Sequence, residues 1–230
     1  MKHHFFLGLT TLAFMAPPAV AAAQGPAISI TPVVGAYRPT GDLGSIQNGE
    51  QVTRIRARAS TMLGTAVEAG IPGSGLRVRG QVLYAPGTGL DARTFEAFES
   101  CGANCQRAVY ADSPLADASV LLTSADLLVP APRLGSVRPF GVLGAGVRRY
   151  GLDSGLGETL TSTVSEDRTS FVAHVGVGVH VPIRRLALTA EVGDYFGRTR
   201  FLDAGSPSVL ASEDMQHDLS VTLGLRWSTH

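Results

Sequence analysis

The chain has 230 residues, of which 44% are hydrophobic and 17% charged, and its basic and acidic residues balance to a formal net charge of +0. This length allows one domain with a full core or one closed barrel, and the balanced charge offers no electrostatic reason to bind nucleic acid. Beyond the N-terminus the sequence has no apolar run of about 18 residues, which argues against membrane-spanning helices.

The N-terminus has the three parts of a secretory signal peptide. Lys2 precedes an apolar segment at residues 5–15, and three alanines at residues 21–23 lie directly before Gln24. Small residues at that place are typical of a cleavage site. An uncleaved membrane anchor is the alternative, but the apolar segment is shorter than a membrane span. We therefore expect a signal peptide over residues 1–23 and one mature domain over residues 24–230.

The first half of the mature chain predicts four β-strands, because apolar and polar residues alternate with a period of two. With their connections, the segments in order are strand 27–37, turn 39–43, loop 44–58, strand 60–71, turn 72–75, strand 76–84, loop 86–114 and strand 119–129. The polar loop 44–58 carries Arg54, Arg56 and Arg58. These arginines fit a solvated strand face or loop rim more simply than a nucleic-acid patch.

The second half predicts four more strands. In order it contains connection 130–136, strand 137–150, loop 151–167, strand 169–181, turn 182–185, strand 186–193, loop 198–215 and strand 218–227. In the last strand, Leu219, Val221, Leu223, Leu225 and Trp227 alternate with polar or small residues. An aromatic ring at this position suits a boundary between membrane and water.

The connections between these strands alternate between long and short, and the number of strands is even. A transmembrane barrel shows this pattern, with short turns on the periplasmic side and long loops outside. Each strand also approaches the length of about 9–11 residues that crosses a tilted bilayer. The sequence therefore predicts an all-β fold, an eight-stranded antiparallel up-and-down transmembrane β-barrel with short periplasmic turns and long outer loops.

Each predicted strand has an aliphatic face and a face that is polar or small. In a transmembrane barrel the aliphatic face meets lipid, and side chains from the other face fill the lumen of an eight-stranded ring. Buried charges must pair, so we expect no wide pore and a lumen network in which Glu68, Asp126 and Glu191 contact Arg77, Arg79, Arg148 or Arg226. A periplasmic lipocalin-like binding barrel could show the same alternation, although the sorting of loop lengths favours the membrane.

The chain resembles the small bacterial outer-membrane β-barrel proteins of the OmpA/OmpX-like kind. The resemblance is carried by the signal sequence, the terminal strand and two segments, residues 33–41 (VVGAYRPTG) and 138–146 (RPFGVLGAG). It implies a location in the bacterial outer membrane after signal-peptide cleavage. It also implies contact with outer-membrane lipid and lipopolysaccharide, recognition of the last strand by the barrel-insertion machinery, and outer loops that could bind an extracellular ligand.

Two cysteines, Cys101 and Cys105, lie in the loop 86–114. In an oxidising compartment, a disulfide closing a small loop is the default for such a pair. Half of a zinc site is the alternative, but no second Cys/His pair follows at metal-ligand spacing. We expect a local disulfide.

Some eight-stranded barrels modify lipid A, and a hydrolase of this kind would need a nucleophile beside a histidine. His174 and His180 are six positions apart on one strand, roughly 20 Å, and are better explained as lumen hydrogen-bonding residues. His217 has Ser220 nearby but lacks the His-x-Ser spacing of the barrel deacylases. We expect no enzyme, cofactor or metal, and a structural or surface-interaction role, with a lipid-modifying enzyme of the same fold as the alternative.

Overall fold

The computed structural model describes residues 28–48, 51–97, 106–108, 113–152, 169–198, 209–211 and 215–228, which form fourteen β-strands. In chain order these are β1 (Ile28–Thr40), β2 (Gly44–Asn48), β3 (Gln51–Ala57), β4 (Ser60–Gly70), β5 (Arg77–Ala85), β6 (Leu90–Ala97), β7 (Gln106–Ala108), β8 (Ser113–Ala116), β9 (Ala118–Pro130), β10 (Arg138–Leu152), β11 (Thr169–Ile183), β12 (Leu186–Arg198), β13 (Val209–Ala211) and β14 (Met215–Ser228). Within these ranges, no helix is long and apolar enough to cross a bilayer.

Eight of the strands close into an antiparallel barrel. Around the ring their order is β1, β14, β12, β11, β10, β9, β5 and β4. The last strand pairs with the first, with Ala36 opposite Val221, so this ring has no free edge. Each of the eight predicted strands corresponds to one barrel strand. The prediction of an all-β, eight-stranded up-and-down barrel is therefore confirmed.

Alternate residues of each barrel strand point outward and inward. In β14 the aliphatic residues Leu219 and Leu223 are about half exposed, whereas Ser220 between them is buried. On β11, Val177 is 66% exposed and His174 is 0% exposed. The outer surface of the barrel wall is thus aliphatic and its interior is closed to solvent. This is the reverse of the polar exterior that a lipocalin-like barrel in water requires.

The barrel has two different ends. The three short connections, residues 71–76, 131–137 and 184–185, lie at one end together with the first residue of β1 and the last of β14. The tightest of them places Arg184 at φ 55°, the left-handed backbone conformation that two-residue hairpin turns use. We call this the turn end. The four longer connections leave from the opposite end, the loop end.

The long connections contain strands of their own, so the prediction that residues 44–58, 86–114 and 198–215 are loops is wrong in part. Strands β2 and β3, β6 to β8, and β13 lie within them and form a second sheet in the order β13, β2, β3, β6, β7, with β8 also paired to β6. These strands are only 3 to 8 residues long. Their hydrophobic pattern is therefore too weak to distinguish them from loops.

This second sheet, called the loop sheet below, is attached to the mouth of the barrel by one face. Ile55 of β3 and Leu90 at the start of β6 are 1% and 0% exposed. Both belong to the same core cluster as Tyr37 and Leu83, which point into the barrel. Because side chains alternate along a strand, the residues next to Ile55 point away from this core.

Candidate functional site

Among the described residues, the charged and polar side chains of the lumen form three layers, and the middle layer is built around Arg79. Arg79 extends from β5 and contacts Asp126 of the neighbouring strand β9 at 2.8 Å. The same guanidinium reaches Glu191 on β12 with two bonds of 2.5 and 2.9 Å. In the ring, β5 and β12 lie opposite each other. One buried side chain thus joins opposite walls of the barrel.

His174 completes the middle layer from β11. Its Nδ1 lies 2.9 Å from Asp126, its Nε2 lies 3.8 Å from Glu191, and its ring stacks on Tyr195 with centroids 3.9 Å apart. Gly193 leaves room for this ring, because a Cβ at that position would lie 2.7 Å from Nε2 of His174 and the imidazole would have to move.

The layer nearest the turn end is built around Glu68. Arg77 donates to Glu68 at 3.0 Å, and Arg226 lies 3.4 Å from the same carboxylate oxygen. Ser29 accepts a hydrogen bond of 3.0 Å from each of these arginines. Between this layer and the Arg79 layer, the free space is a cavity of about 10 Å³. That is close to the minimum for a single water molecule.

The layer nearest the loop end differs from the sequence prediction. Arg148 was expected to contact Glu68, Asp126 or Glu191, but it pairs with Asp218, across the lumen on β14. Ser170 and the pair formed by Gln216 and Tyr150, joined by a bond of 2.8 Å, lie in the same layer. Asp218 was missed, although it shares the inward face of β14 with Arg226 and strand parity alone could have identified it.

Apolar side chains fill the lumen between the Arg79 layer and the loop sheet. Met62, Leu83 and Leu122 are each 1% exposed and point inward. The prediction that the inward face is polar or small is therefore incomplete for this half of the barrel. Tyr195 also bridges opposite walls here, since its hydroxyl donates to Gln81 at 3.1 Å. The lumen is therefore filled along its described length.

His180, on the same strand as His174, lies further toward the turn end. Its Nδ1 is 2.9 Å from the hydroxyl of Thr189, and its ring stacks on Phe140 with centroids 4.4 Å apart. Both histidines thus point into the lumen and make hydrogen bonds there. Among the residues that the structure describes, no three His, Cys, Asp or Glu side chains are grouped to hold a metal ion.

A second acid–imidazole pair lies outside the barrel wall, near the loop end. Nδ1 of His217 on β14 is 2.7 Å from Asp194 on β12, and His217 is about half exposed. Phe196 stacks on the same imidazole at 5.8 Å. The hydroxyl nearest in register, that of Thr40, donates to the backbone carbonyl of His217 at 2.9 Å. Its proton therefore points away from the ring that would have to remove it.

Of the remaining predicted sites, the structure describes the aromatic residue near the end of the last strand. Trp227 lies on the outer surface at the turn end and is 69% exposed, beside Ile30 and Leu186 on the neighbouring strands. The predicted disulfide of Cys101 and Cys105 and the predicted signal peptide lie outside the described residues.

Known proteins resemble this chain in fold but not closely in sequence. No protein-family model matches the chain, and no curated protein matches it. Among solved structures, the crystal structure of Neisserial surface protein A (NspA) is 13% identical with a TM-score of 0.54, covering 89% of this chain and 99% of that one. The outer membrane protein AlkL, solved in lipid bilayers, is 13% identical with a TM-score of 0.55, covering 94% and 97%. The chain therefore has the fold of the small eight-stranded β-barrels of bacterial outer membranes.

Proposed function

We propose that the protein is an integral outer-membrane β-barrel with a structural or surface-interaction role and no wide pore. The observation that carries this proposal is the bond between Arg79 and Glu191 across the lumen of a barrel whose outer wall is aliphatic. A wall of this kind is stable in hydrocarbon, where a closed ring leaves no backbone group unpaired. The filled lumen leaves surface display as the main task of such a barrel.

The orientation follows from the two ends of the barrel. In outer-membrane barrels the short turns face the periplasm and the longer connections face the outside. On this basis the turn end is periplasmic and the loop sheet is outside the cell. The outward aliphatic residues would contact lipid and lipopolysaccharide, and β14, with Trp227 near its end, would be the strand that the barrel-insertion machinery recognises.

Fractionation of cells tests the location. We expect the protein in outer-membrane fractions, resistant to carbonate extraction, and migrating differently on a gel with and without heating. An epitope inserted between residues 49 and 50 should be accessible to antibody on intact cells, and one inserted in the turn 131–137 only after permeabilisation. Release by carbonate would support a periplasmic barrel instead. If the epitope in the turn 131–137 were accessible on intact cells and the one between residues 49 and 50 were not, the orientation would be wrong, although the location in the outer membrane would stand.

Planar bilayers test the filled lumen. The purified folded protein should give no steady ion conductance, because charged and apolar side chains close the lumen in successive layers. A large steady conductance in the unmodified protein would contradict this part of the proposal without affecting its location.

A lipid-modifying enzyme is the second candidate, and the pair formed by His217 and Asp194 favours it. An imidazole oriented by a carboxylate is part of the arrangement that activates a nucleophile. The pair also lies on the outward wall near the loop end, where the outer leaflet would be. The structural role is preferred because the neighbouring hydroxyl of Thr40 is bonded to a backbone carbonyl and not to the imidazole.

A further inference from the structure

The turn end carries four exposed arginines on two neighbouring connections. Arg133 and Arg138 lie in and directly after the connection between β9 and β10, and Arg184 and Arg185 form the connection between β11 and β12. These four strands are consecutive in the ring, so the two connections lie side by side. We call these two connections, with their four arginines, the basic turns.

The basic turns contain no acidic residue. Neither residues 131–138 nor residues 182–185 include an aspartate or a glutamate. Among the described side chains, the carboxylate of the lumen layer nearest this end is that of Glu68, which is 2% exposed and is shared by Arg77 and Arg226. The basic turns therefore present positive charge to whatever lies beside the turn end.

An apolar groove on the outer surface of the barrel wall begins beside the first basic turn. It has a volume of about 500 Å³, and its lining includes Ala131, Pro139 and Gly141, the second of which directly follows Arg138 in the chain. Gly141 helps to form the depression, since a Cβ there would meet nothing within 4 Å. The volume is within the range of about 300–1,000 Å³ that is typical of sites for small molecules.

A second apolar groove begins beside the other basic turn. It has a volume of about 270 Å³ and is lined by Ile28, Ile30, Pro32, Leu186, Leu225 and Trp227. Leu186 directly follows Arg185 in the chain and lies opposite Trp227 in register. An arginine next to an apolar groove therefore occurs twice at this end of the barrel.

A partner that fits such a site has an anionic group joined to an apolar chain. Guanidinium groups bind phosphate with paired, charge-assisted hydrogen bonds, and an acyl chain that fills a groove in the wall gains van der Waals contacts. A soluble acidic polymer could use the arginines but would leave the grooves empty. A zwitterionic phospholipid would bring an ammonium group, for which the basic turns offer no carboxylate. The arrangement therefore fits a phospholipid with a net negative charge.

We infer that the basic turns and their grooves bind anionic phospholipids, with the phosphate on the arginines and an acyl chain in the groove. This inference rests on the proposed membrane location and deepens it, because it names the class of lipid that the turn end selects. Basic residues next to a membrane-spanning segment are attracted to anionic lipid headgroups. Lipids bound in this way hold the turn end at the level of the headgroups.

Trp227 reports on the second groove, because it lines this groove and is the chain's single tryptophan. The full-length protein is folded into vesicles of equal parts phosphatidylglycerol and phosphatidylcholine, with bromine on the acyl chains of one lipid or of the other. The variant Arg184→Gln/Arg185→Gln is compared with Arg38→Gln/Arg149→Gln, which removes the same charge from exposed positions near the loop end. Heat-dependent migration on a gel checks that each variant is folded.

We expect brominated phosphatidylglycerol to quench Trp227 more than brominated phosphatidylcholine does, corresponding to a preference of roughly fivefold or more. The preference should disappear in Arg184→Gln/Arg185→Gln and persist in the loop-end variant. Added salt should weaken it, since the contacts are ionic. No preference in the unmodified protein, or the same preference in the two folded variants, would overturn the inference.

Two further outcomes separate this inference from its rival and from the proposed function. If the unmodified protein showed no lipid preference but bound polyglutamate, and Arg184→Gln/Arg185→Gln abolished that binding, the basic turns would belong to a soluble acidic partner instead. If neither brominated lipid quenched Trp227, the tryptophan would lie outside the bilayer and the membrane location itself would be contradicted. Equal quenching by the two lipids contradicts the lipid selectivity alone.

Discussion

Arg79 and Glu191 form a bidentate ion pair across the lumen, although they are separated by 112 positions in sequence and lie on opposite strands of the ring. Arg79 is 5% exposed, as is Glu191. In a closed interior of this kind, neither charge can be solvated by bulk water. The pair therefore holds the two walls at a fixed distance, and removing either partner would leave the other charge buried without its counter-ion.

Replacing Arg79 by methionine should destabilise the folded barrel strongly. The change leaves Glu191 and Asp126 buried without their guanidinium partner, and breaking a buried ion pair typically costs about 3–5 kcal/mol. Urea unfolding in lipid vesicles measures the free energy of unfolding. Arg149→Met is the matched control, because Arg149 is exposed on the outer side of β10.

The control change should alter the free energy of unfolding by no more than about 0.5 kcal/mol. Adding Glu191→Gln to Arg79→Met should restore part of the loss, because one uncompensated charge is removed. If Arg79→Met and Arg149→Met unfold at the same urea concentration, the bond across the lumen contributes nothing to stability.

Gly146 should be less tolerant of alanine than Gly141 on the same strand. A Cβ at Gly146 would lie 2.9 Å from the Cα of Ser124 and the carbonyl carbon of Thr123 on β9, so two backbones would have to separate. A Cβ at Gly141 would meet nothing within 4 Å. We expect Gly146→Ala to cost roughly 1–3 kcal/mol or more and Gly141→Ala to be nearly neutral, both measured by urea unfolding. Equal stability would show that the spacing of β9 and β10 adapts freely at Gly146.

The barrel could be predicted from the sequence alone because the features that specify a barrel are local in the chain. Period-two alternation, as in β14, determines which side chains point outward, and the alternation of short and long connections determines which strands are neighbours. The inward position of Glu68, Arg79 and Asp126 follows from parity in the same way. None of these inferences needs a distance between residues that are far apart in the chain.

The partners across the lumen could not be predicted, because they depend on how far each strand is shifted along its neighbour. That shift brings Arg148 to Asp218 rather than to the acids named from the sequence. The loop sheet escaped prediction for a different reason. Its arginines were interpreted as a solvated strand face or loop rim, and the buried position of Ile55 on β3 follows only from the core cluster that it shares with Tyr37 in the barrel mouth.

Trp227 should report the membrane boundary at the turn end. It is the chain's single tryptophan, so its fluorescence needs no separation from other tryptophans. Because the ring is outward and 69% exposed, it should enter lipid when the protein folds into vesicles, and its emission should shift to shorter wavelength. Lipids brominated near the headgroup should quench it more than lipids brominated near the chain ends.

The control for depth is the variant Trp227→Phe/Val177→Trp. Val177 is outward and near the middle of β11, so its replacement should be quenched most by bromines deep in the chains. Identical quenching profiles for the two tryptophans would contradict the placement of Trp227 at the boundary.

The pair of His217 and Asp194 allows the enzymatic alternative to be tested directly. In the proposed structural role, the imidazole is an outward polar group near the outer leaflet, and replacing it should not change lipid chemistry. We therefore expect lipid A from cells producing the His217→Gln protein, the unmodified protein or no protein to have the same acyl and phosphate composition by mass spectrometry. Glutamine keeps a hydrogen-bonding side chain beside Asp194 but cannot act as a general base. A lipid A species that appears with the unmodified protein and disappears with His217→Gln, at equal amounts of folded protein, would show instead that this outward pair is catalytic.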